Sequence, residues 1–337
     1  MFGQLHSGRD EPILDPDLTI VDAQHHLFAR PAIRYLFEDY LADVAAGHQI
    51  VASVYMEANS FRREHGPEIL RPLGEIEFAN GIGAIGASGA FGKTRICAGI
   101  VGYADLRFGD AIAAYFDQAL QLAPERFRGI RQGANHHSSE APYRYMPSRP
   151  PPGLLLDRQF RTGFSHLASR GLSFDAAVFH HQLPELADLA DAFPATAIVI
   201  NHCGLALGME LDAHGRASVF REWREAIREI ARRANVLCKV GGLGLPFWGF
   251  GFENRSDAIG FQELAATWAP YVETVIECFG ADRCMMVSDY PSDSHSAGFV
   301  PLWNALKHIV RSATISEKAA LLRRTAARVY RIALLEP

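Results

Sequence analysis

Eight short apolar runs recur along this chain of 337 residues, and longer stretches, most of them helical in pattern, separate the runs. Strands that are nearly continuous apolar runs and alternate with amphipathic helices predict a parallel sheet covered by helices. Eight such runs in a chain of this length favour a closed (β/α)8 barrel, the TIM barrel of the α/β class. The runs are Leu18–Ala23, Ile50–Glu57, Arg95–Ala104, Phe127–Gln132, Leu172–Phe179, Ala197–Asn201, Val236–Val240 and Arg283–Ser288.

The segments between the runs carry the periodicity of amphipathic helices. In Phe220–Ala234, for example, apolar side chains fall on one face and arginine and glutamate on the other. Because no internal repeat or linker divides the chain, we predict a single barrel domain over residues 1–337. Three segments rich in glycine and proline are predicted to be long loops over the mouth of the barrel, near residues 79–94, 133–153 and 241–256.

Composition narrows the class of protein. The chain is 48% hydrophobic and 21% charged, which is ordinary for a globular enzyme. A net charge of −5 gives no electrostatic reason to expect nucleic acid or an anionic membrane as a partner. No apolar run approaches the roughly 20 residues that a membrane span requires. The five cysteines are scattered, without CxxC spacing, and this pattern is typical of a protein of the reducing cytoplasm.

The glycine-rich segment also contains two patterns typical of nucleotide sites. Gly81-x-Gly83-x-x-Gly86 fits the dinucleotide fingerprint, and Ala87–Thr94 fits a loosened P-loop. Both mechanisms need a strand before the loop and a helix after it, so that the helix N-terminus faces phosphate. Here the order is reversed. We therefore predict a flexible loop near the pocket and no nucleotide site.

Polar and ionisable residues stand where several apolar runs end. The first run leads into Gln24 and His26, the fifth into His180, the sixth into His202, and the eighth into Asp289. In a barrel, these C-terminal strand ends converge on one pocket. For any one histidine a structural role is the simpler interpretation. The presence of His or Asp at four strand ends favours a catalytic site.

Sequence blocks in this order resemble a known family. They are VDAQHHLF, FHHQLPELADLADAFP, IVINHCG, NVLCKVGGLG, DRCMMVSDYP and TAARVYRI, and the similarity extends from Ile20 to Ile332. The chain resembles the amidohydrolase-related lactonases, which include sugar-lactone, muconolactone and pyrone-dicarboxylate lactonases. The resemblance implies an amidohydrolase-like TIM barrel that binds a small-molecule substrate and can form a homo-oligomer.

The resemblance also implies roles for the residues at the strand ends. Asp289 would accept a proton from the attacking water, a role that suits a carboxylate because the charged form only accepts hydrogen bonds. His26, His180 and His202 would polarise the scissile carbonyl, directly or through a metal. The other candidates are expected to contact substrate, and the alternative for each is ordinary packing or a structural ion pair: Gln24, Tyr55, Glu57, Arg131, Lys239 and Trp248.

The first block departs from the family pattern, which is usually Asp-Ala-His-x-His. Gln24 stands where the first histidine is expected, and alternation along a strand points it into the barrel together with His26. The family's zinc set would become Gln24, His26, His180 and Asp289. A neutral amide is a poor zinc ligand, although His26, His180 and Asp289 could still hold an ion. Two states therefore stay open, one bound zinc ion or no metal.

The predicted reaction is hydrolysis of a lactone or a related cyclic ester. A zinc-dependent non-oxidative decarboxylase of an aromatic or unsaturated acid is the alternative on the same barrel. Hydrolysis of an amide or imide is a third possibility. A binding protein without catalysis stays open as well, because Gln24 replaces an expected ligand.

Overall fold

The computed structural model describes residues 10–30 and 33–334 and contains the expected barrel of eight parallel strands, hydrogen-bonded in chain order. Each strand is buried on both sides, as a sheet covered by helices requires. The prediction of a TIM barrel is confirmed. The strands are β1 Thr19–His25, β2 Gln49–Met56, β3 Arg95–Tyr103, β4 Phe127–Arg131, β5 Ser173–Ala176, β6 Ile198–Ile200, β7 Val236–Val240 and β8 Cys284–Met286.

Helices surround the strands, and a short antiparallel hairpin, Phe28–Arg30 with Ile33–Tyr35, follows β1. The helix predicted over Phe220–Ala234 is present but begins at Ala213, because the Asp212 side chain accepts a hydrogen bond from Gly215 N and caps it. The helices are α1 Phe37–Val44, α2 Leu73–Ala87, α3 Ala113–Leu122, α4 Arg158–Phe164, α5 Leu183–Ala192, α6 Ala213–Ile230, α7 Phe261–Phe279, α8 Phe299–Ile309, α9 Ile315–Ala319 and α10 Thr325–Val329.

The prediction of a loop near residues 79–94 is wrong for the first half of this segment, which is helical and belongs to α2 up to Ala87. Gly83 and Gly86 lie where this helix approaches its neighbours closely. A Cβ at Gly83 would meet the Arg126 side chain at 2.7 Å, and one at Gly86 would meet Ile96 N at 3.3 Å. Only residues 88–94 form a loop, which leads into the N-terminal end of β3, and nothing in 79–94 lines the large cavity described below. The other two segments are loops with short 3-10 turns, as predicted.

The barrel closes between β1 and the residues just after β8 through a few specific hydrogen bonds. His26 N donates to Tyr290 O at 2.7 Å and Asp289 N to Gln24 O at 2.9 Å. Asp22 joins the same two segments, since its carboxylate accepts from Ser288 N at 2.9 Å and from Ser288 Oγ at 2.6 Å. The seam therefore fixes the positions of Gln24, His26 and Asp289 relative to one another.

Asp22 is fully buried in this seam, where Tyr40 OH also donates to it at 2.8 Å. Burial raises its pKa to about 6, although the hydrogen bonds from Ser288 and Tyr40 act in the opposite direction.

Within the described residues, no helix has both the length and the apolar composition to cross a membrane.

We predict that Asp22→Ala lowers the free energy of unfolding by about 3 kcal/mol, because it leaves the Ser288 and Tyr40 donors buried without a partner. Urea denaturation followed by circular dichroism measures the change. Asp17→Ala, which changes an exposed aspartate before β1, is the matched control and should alter stability by less than about 0.5 kcal/mol. A loss below about 1 kcal/mol for Asp22→Ala would show that the seam does not depend on this carboxylate.

Candidate active site

A cavity of about 560 Å³ opens at the C-terminal end of the barrel. Residues from the strand ends form its floor, and the loops after β4 and β7 form its walls. Parallel strands deliver their last side chains to this end, which is where barrel enzymes carry their chemistry. The residues at the floor are His26, Glu57, Arg131, Ala177, His202 and Asp289.

Asp289 lies just beyond β8 and is 1% exposed. Its Oδ1 atom accepts from Gln24 Nε2 at 2.6 Å, lies 3.1 Å from His26 Nε2, and is 3.8 Å from His202 Nε2. Burial alone would raise the pKa of this carboxyl, but the interactions with His202, His26 and Arg131 outweigh burial and lower it. Asp289 is therefore a carboxylate at neutral pH. Its backbone has a φ of +52°, a strained conformation that the seam between β1 and β8 holds in place.

Gln24 points its amide nitrogen at the centre of the site. Besides donating to Asp289, Nε2 lies 3.5 Å from His26 Nε2 and 3.3 Å from His202 Nε2. The amide oxygen faces the opposite way and accepts from Lys239 Nζ at 3.1 Å. Because an amide nitrogen only donates, Gln24 presents N–H groups and not a ligand oxygen to this space.

Local contacts orient the two histidines at the floor of the cavity. His26 Nδ1 donates to Met56 O at 2.9 Å, and this bond turns Nε2 toward Asp289. Burial lowers the pKa of His202 to about 4; the Asp289 charge opposes this shift, and Arg131 reinforces it. His202 is therefore neutral near pH 7.

Gly242, just after β7, leaves room for the ring of His202. A Cβ there would meet His202 Nδ1 at 2.0 Å, and the φ of +68° also favours glycine.

His180 does not join this cluster. β5 ends at Ala176, and the β5-side residue that lines the cavity is Ala177, which has no metal-binding group. His180 lies in a 3-10 turn beyond the strand, where its Nδ1 accepts from Leu207 N at 3.2 Å. The structure thus brings His26 and Asp289 together but leaves His180 outside the cavity.

The expected zinc set is consequently not assembled. In the parts of the chain that the structure describes, no group of three His, Cys, Asp or Glu side chains is arranged to hold a metal ion. Gln24 cannot complete a set in its present orientation, because its oxygen is engaged by Lys239. The residues present therefore do not fit the zinc site that the family pattern implies.

Arg131 and Glu57 both reach the cavity and form an ion pair. Arg131 Nε donates to Glu57 Oε1 at 2.7 Å, and Nη2 donates to Glu57 O at 2.8 Å. Burial lowers the pKa of Arg131, but the charge of Glu57 and its hydrogen bond raise the pKa by more. The pKa of Arg131 therefore lies above its usual value. Asn59 donates to the second Glu57 oxygen at 3.0 Å.

Four predicted substrate contacts do not line the cavity: Gln24, Tyr55, Trp248 and Lys239. Tyr55 lies on the outer side of β2, where its hydroxyl donates to Glu75 Oε1 at 2.9 Å. Trp248, in the loop after β7, donates its indole N–H to Gly242 O at 2.7 Å and is buried away from the cavity, while its neighbour Phe247 lines the cavity. Lys239 lies beneath Gln24, inside the barrel.

The sequence interpretation missed several lining residues, most of which lie on loops rather than on the barrel strands. Their common feature is positive charge or hydrogen-bonding capacity, and the cluster of such residues just after β2 was the available signal. They include Arg30, Asn59, Arg62, Tyr103, Arg107, Asn135, Tyr145, Arg149 and His295.

Known proteins resemble this chain over nearly its whole length. An uncharacterised protein, y4mH of Sinorhizobium fredii, is 35% identical over 298 residues, which cover 88% of this chain and 86% of that protein. L-fucono-1,5-lactonase of Burkholderia multivorans is 26% identical over 333 residues, covering 94% of this chain and 97% of the relative.

The solved structure of an amidohydrolase from Burkholderia multivorans with bound zinc superposes with a TM-score of 0.71. It is 21% identical, and the match covers 94% of this chain and 100% of that one. A likeness at this identity supports the barrel fold. The family model described as amidohydrolase matches residues 21–332, which include every residue of the cavity floor. This chain belongs to the amidohydrolase family.

Proposed function

We propose that this protein hydrolyses a lactone or a related cyclic ester, with Asp289 as the general base. The observation that carries the proposal is a buried, ionised carboxylate at the floor of a cavity, next to two imidazoles and a paired arginine. Carboxylates in this position can take a proton from water and activate it for attack. The lactonase relative supports this choice of bond.

In the proposed reaction, a water on the cavity side of Asp289 transfers one proton to the carboxylate as its oxygen bonds to the lactone carbonyl carbon. The bond between this carbon and the ring oxygen then breaks, and the ring oxygen takes the proton back from Asp289. The product is an open hydroxy acid, and the base is regenerated. The reaction consumes only the lactone and one water molecule and needs no redox partner.

Charge that develops on the carbonyl oxygen requires donors held in place in advance. Arg131 keeps its positive charge at the floor of the cavity, whereas His26, whose Nδ1 donates to Met56 O, can donate from Nε2 only when the ring is doubly protonated. Glu57 holds Arg131 at two points, so the guanidinium needs little reorganisation when the negative charge appears. His180, which lies outside the cavity, has no part in this proposal.

The walls of the cavity favour a cyclic organic substrate with polar substituents. Its lining includes the apolar side chains of Met146, Leu154, Leu205, Leu245 and Phe247. It also includes arginines from the loops after the first three strands, Arg30, Arg62 and Arg107. A cavity of about 560 Å³ accommodates a single ring with its substituents.

We predict that Asp289→Asn lowers kcat by about two to four orders of magnitude in a folded protein, since the amide cannot accept the proton. A pH-stat assay with a lactone panel measures acid release, and parallel measurement of CO2 distinguishes hydrolysis from decarboxylation.

Asp293→Asn is the matched control. Burial and then the Asp289 charge raise the pKa of Asp293 well above its usual value, and the amide of asparagine has the same shape as this buried carboxyl group. The control should retain near-normal kcat. Wild-type kcat in Asp289→Asn, or an equal loss in both variants, would contradict the assignment of Asp289 as the base.

We also predict that the enzyme retains its activity after metal chelation and that Gln24→His raises its zinc affinity by restoring a ligand. Metal analysis and kinetics before and after chelator treatment check the first point, and zinc titration of both proteins checks the second. Stoichiometric zinc in wild-type protein, with activity lost on chelation and restored by zinc, would contradict metal-free hydrolysis.

The loop after β7 yields a prediction about substrate binding. Phe247→Ala should raise KM about tenfold with little change in kcat, because an apolar cavity wall is lost. Trp248→Ala should instead lower the free energy of unfolding by about 3 kcal/mol, as expected for a buried indole. Its KM should stay near that of the wild type. Steady-state kinetics and denaturation distinguish the two, and a raised KM in Trp248→Ala alone would reverse the interpretation.

A further inference from the structure

Lys239 on β7 lies directly beneath the active site and is completely buried. Its ammonium group is 3.1 Å from Gln24 Oε1 and 2.7 Å from Asp175 Oδ1, and it lies over the ring of Tyr330 at 5.2 Å. The residue does not touch the cavity, so it does not contact a substrate held there. Lys239 acts on the site through its hydrogen bond to Gln24 and through the charge that it places near His202 and Asp289.

Asp175 is itself held from two sides. Tyr330 OH donates to Asp175 Oδ1 at 2.8 Å, and Asn201 Nδ2 donates to the same atom at 3.3 Å. A column of buried polar contacts thus runs inside the barrel from Tyr330 to Asp175, Lys239 and Gln24. Because each member is packed and hydrogen-bonded, the ammonium has one fixed position.

The chemistry of the contact determines which way the Gln24 amide points. An ammonium group only donates hydrogen bonds, so the amide oxygen must face Lys239 and the amide nitrogen must face Asp289. If the amide turned over, its N–H groups would face the ammonium and its oxygen would face the Asp289 carboxylate. Both contacts would then be repulsive.

A buried ion pair between Lys239 and Asp175 is by itself a weak source of stability, because removing two charges from water costs much of what their attraction returns. Lys239 also contacts the Gln24 amide, which faces the reactive carboxylate of Asp289, and this contact has a more specific consequence. The contact decides whether Gln24 presents a donor or a ligand oxygen to Asp289 and the two histidines.

We infer that Lys239 is a positioning residue, which fixes the Gln24 amide with its nitrogen toward Asp289 and so keeps the amide oxygen from serving as a zinc ligand. The part of this inference that concerns turnover rests on the proposed function. The part that concerns zinc does not, because the orientation of the amide affects metal affinity whatever the substrate.

The test uses the double variant Lys239→Met/Asp175→Asn, which removes one positive and one negative charge together and leaves no unpaired ion in the barrel. Zinc affinity is measured by competition with a chromophoric chelator. We expect the double variant to bind zinc at least tenfold more tightly than wild type, because the amide can now turn its oxygen to the metal. Adding Gln24→Met should abolish this gain.

Kinetics on the same proteins should show a split between kcat and KM. With a substrate that wild type hydrolyses, kcat should fall about tenfold while KM stays within twofold, since neither changed residue lines the cavity. Lys307→Met is the matched control, because Lys307 is also buried but lies at α8, where it donates to Leu14 O and Asp15 O. This control should change neither zinc affinity nor kcat.

Equal zinc affinity in the double variant and wild type would overturn the inference, even if no lactone were ever hydrolysed. A folded double variant with wild-type kcat would overturn it as well. Failure to find any lactone substrate would contradict the proposed function alone, and the zinc titration would still decide the role of Lys239.

Discussion

The hydrogen bond from Gln24 to Asp289 joins the first strand of the barrel to the segment after the last one. Around it, Asp289 N donates to Gln24 O and His26 N donates to Tyr290 O, so the contacts that close the barrel also assemble the candidate site. A buried carboxylate is costly unless it is hydrogen-bonded, and here the Gln24 amide donates to it at 2.6 Å. Stability and chemistry therefore depend on the same seam.

Gln24 explains how the polar groups of the site are held together at a position where the family pattern has a histidine. Its amide nitrogen lies between Asp289, His26 and His202, within 2.6 to 3.5 Å of one polar atom of each. A donor in this place holds the carboxylate and the imidazoles together, a task that a metal ion performs when all the ligands are present. Lys239 Nζ donates to the oxygen of the same amide, so the amide nitrogen faces these three groups.

Much of the site follows from local sequence, because strand ends can be recognised from apolar runs. His26, His202 and Asp289 each follow such a run, and a barrel brings those ends together. His180 lies apart from them because β5 stops at Ala176 and the histidine begins a 3-10 turn beyond the strand. The orientation of the Gln24 amide could not be predicted, since it depends on Lys239, 215 residues away. Likewise, the glycines of α2 reflect close contacts with Arg126 and Ile96 that no periodicity reveals.

The dependence of kcat/KM on pH, measured on chelator-treated enzyme, tests the central claim most directly. The account requires an ionised Asp289, whose pKa is lowered, and a neutral His202, whose pKa is about 4. As the pH falls, the Asp289 carboxylate and the neutral His202 imidazole persist until the pH approaches the pKa of each group. Activity should therefore stay level from neutral pH to about 5 and decline around or below pH 4. An acid limb near pH 7, where water bound to catalytic zinc ionises, would contradict the account.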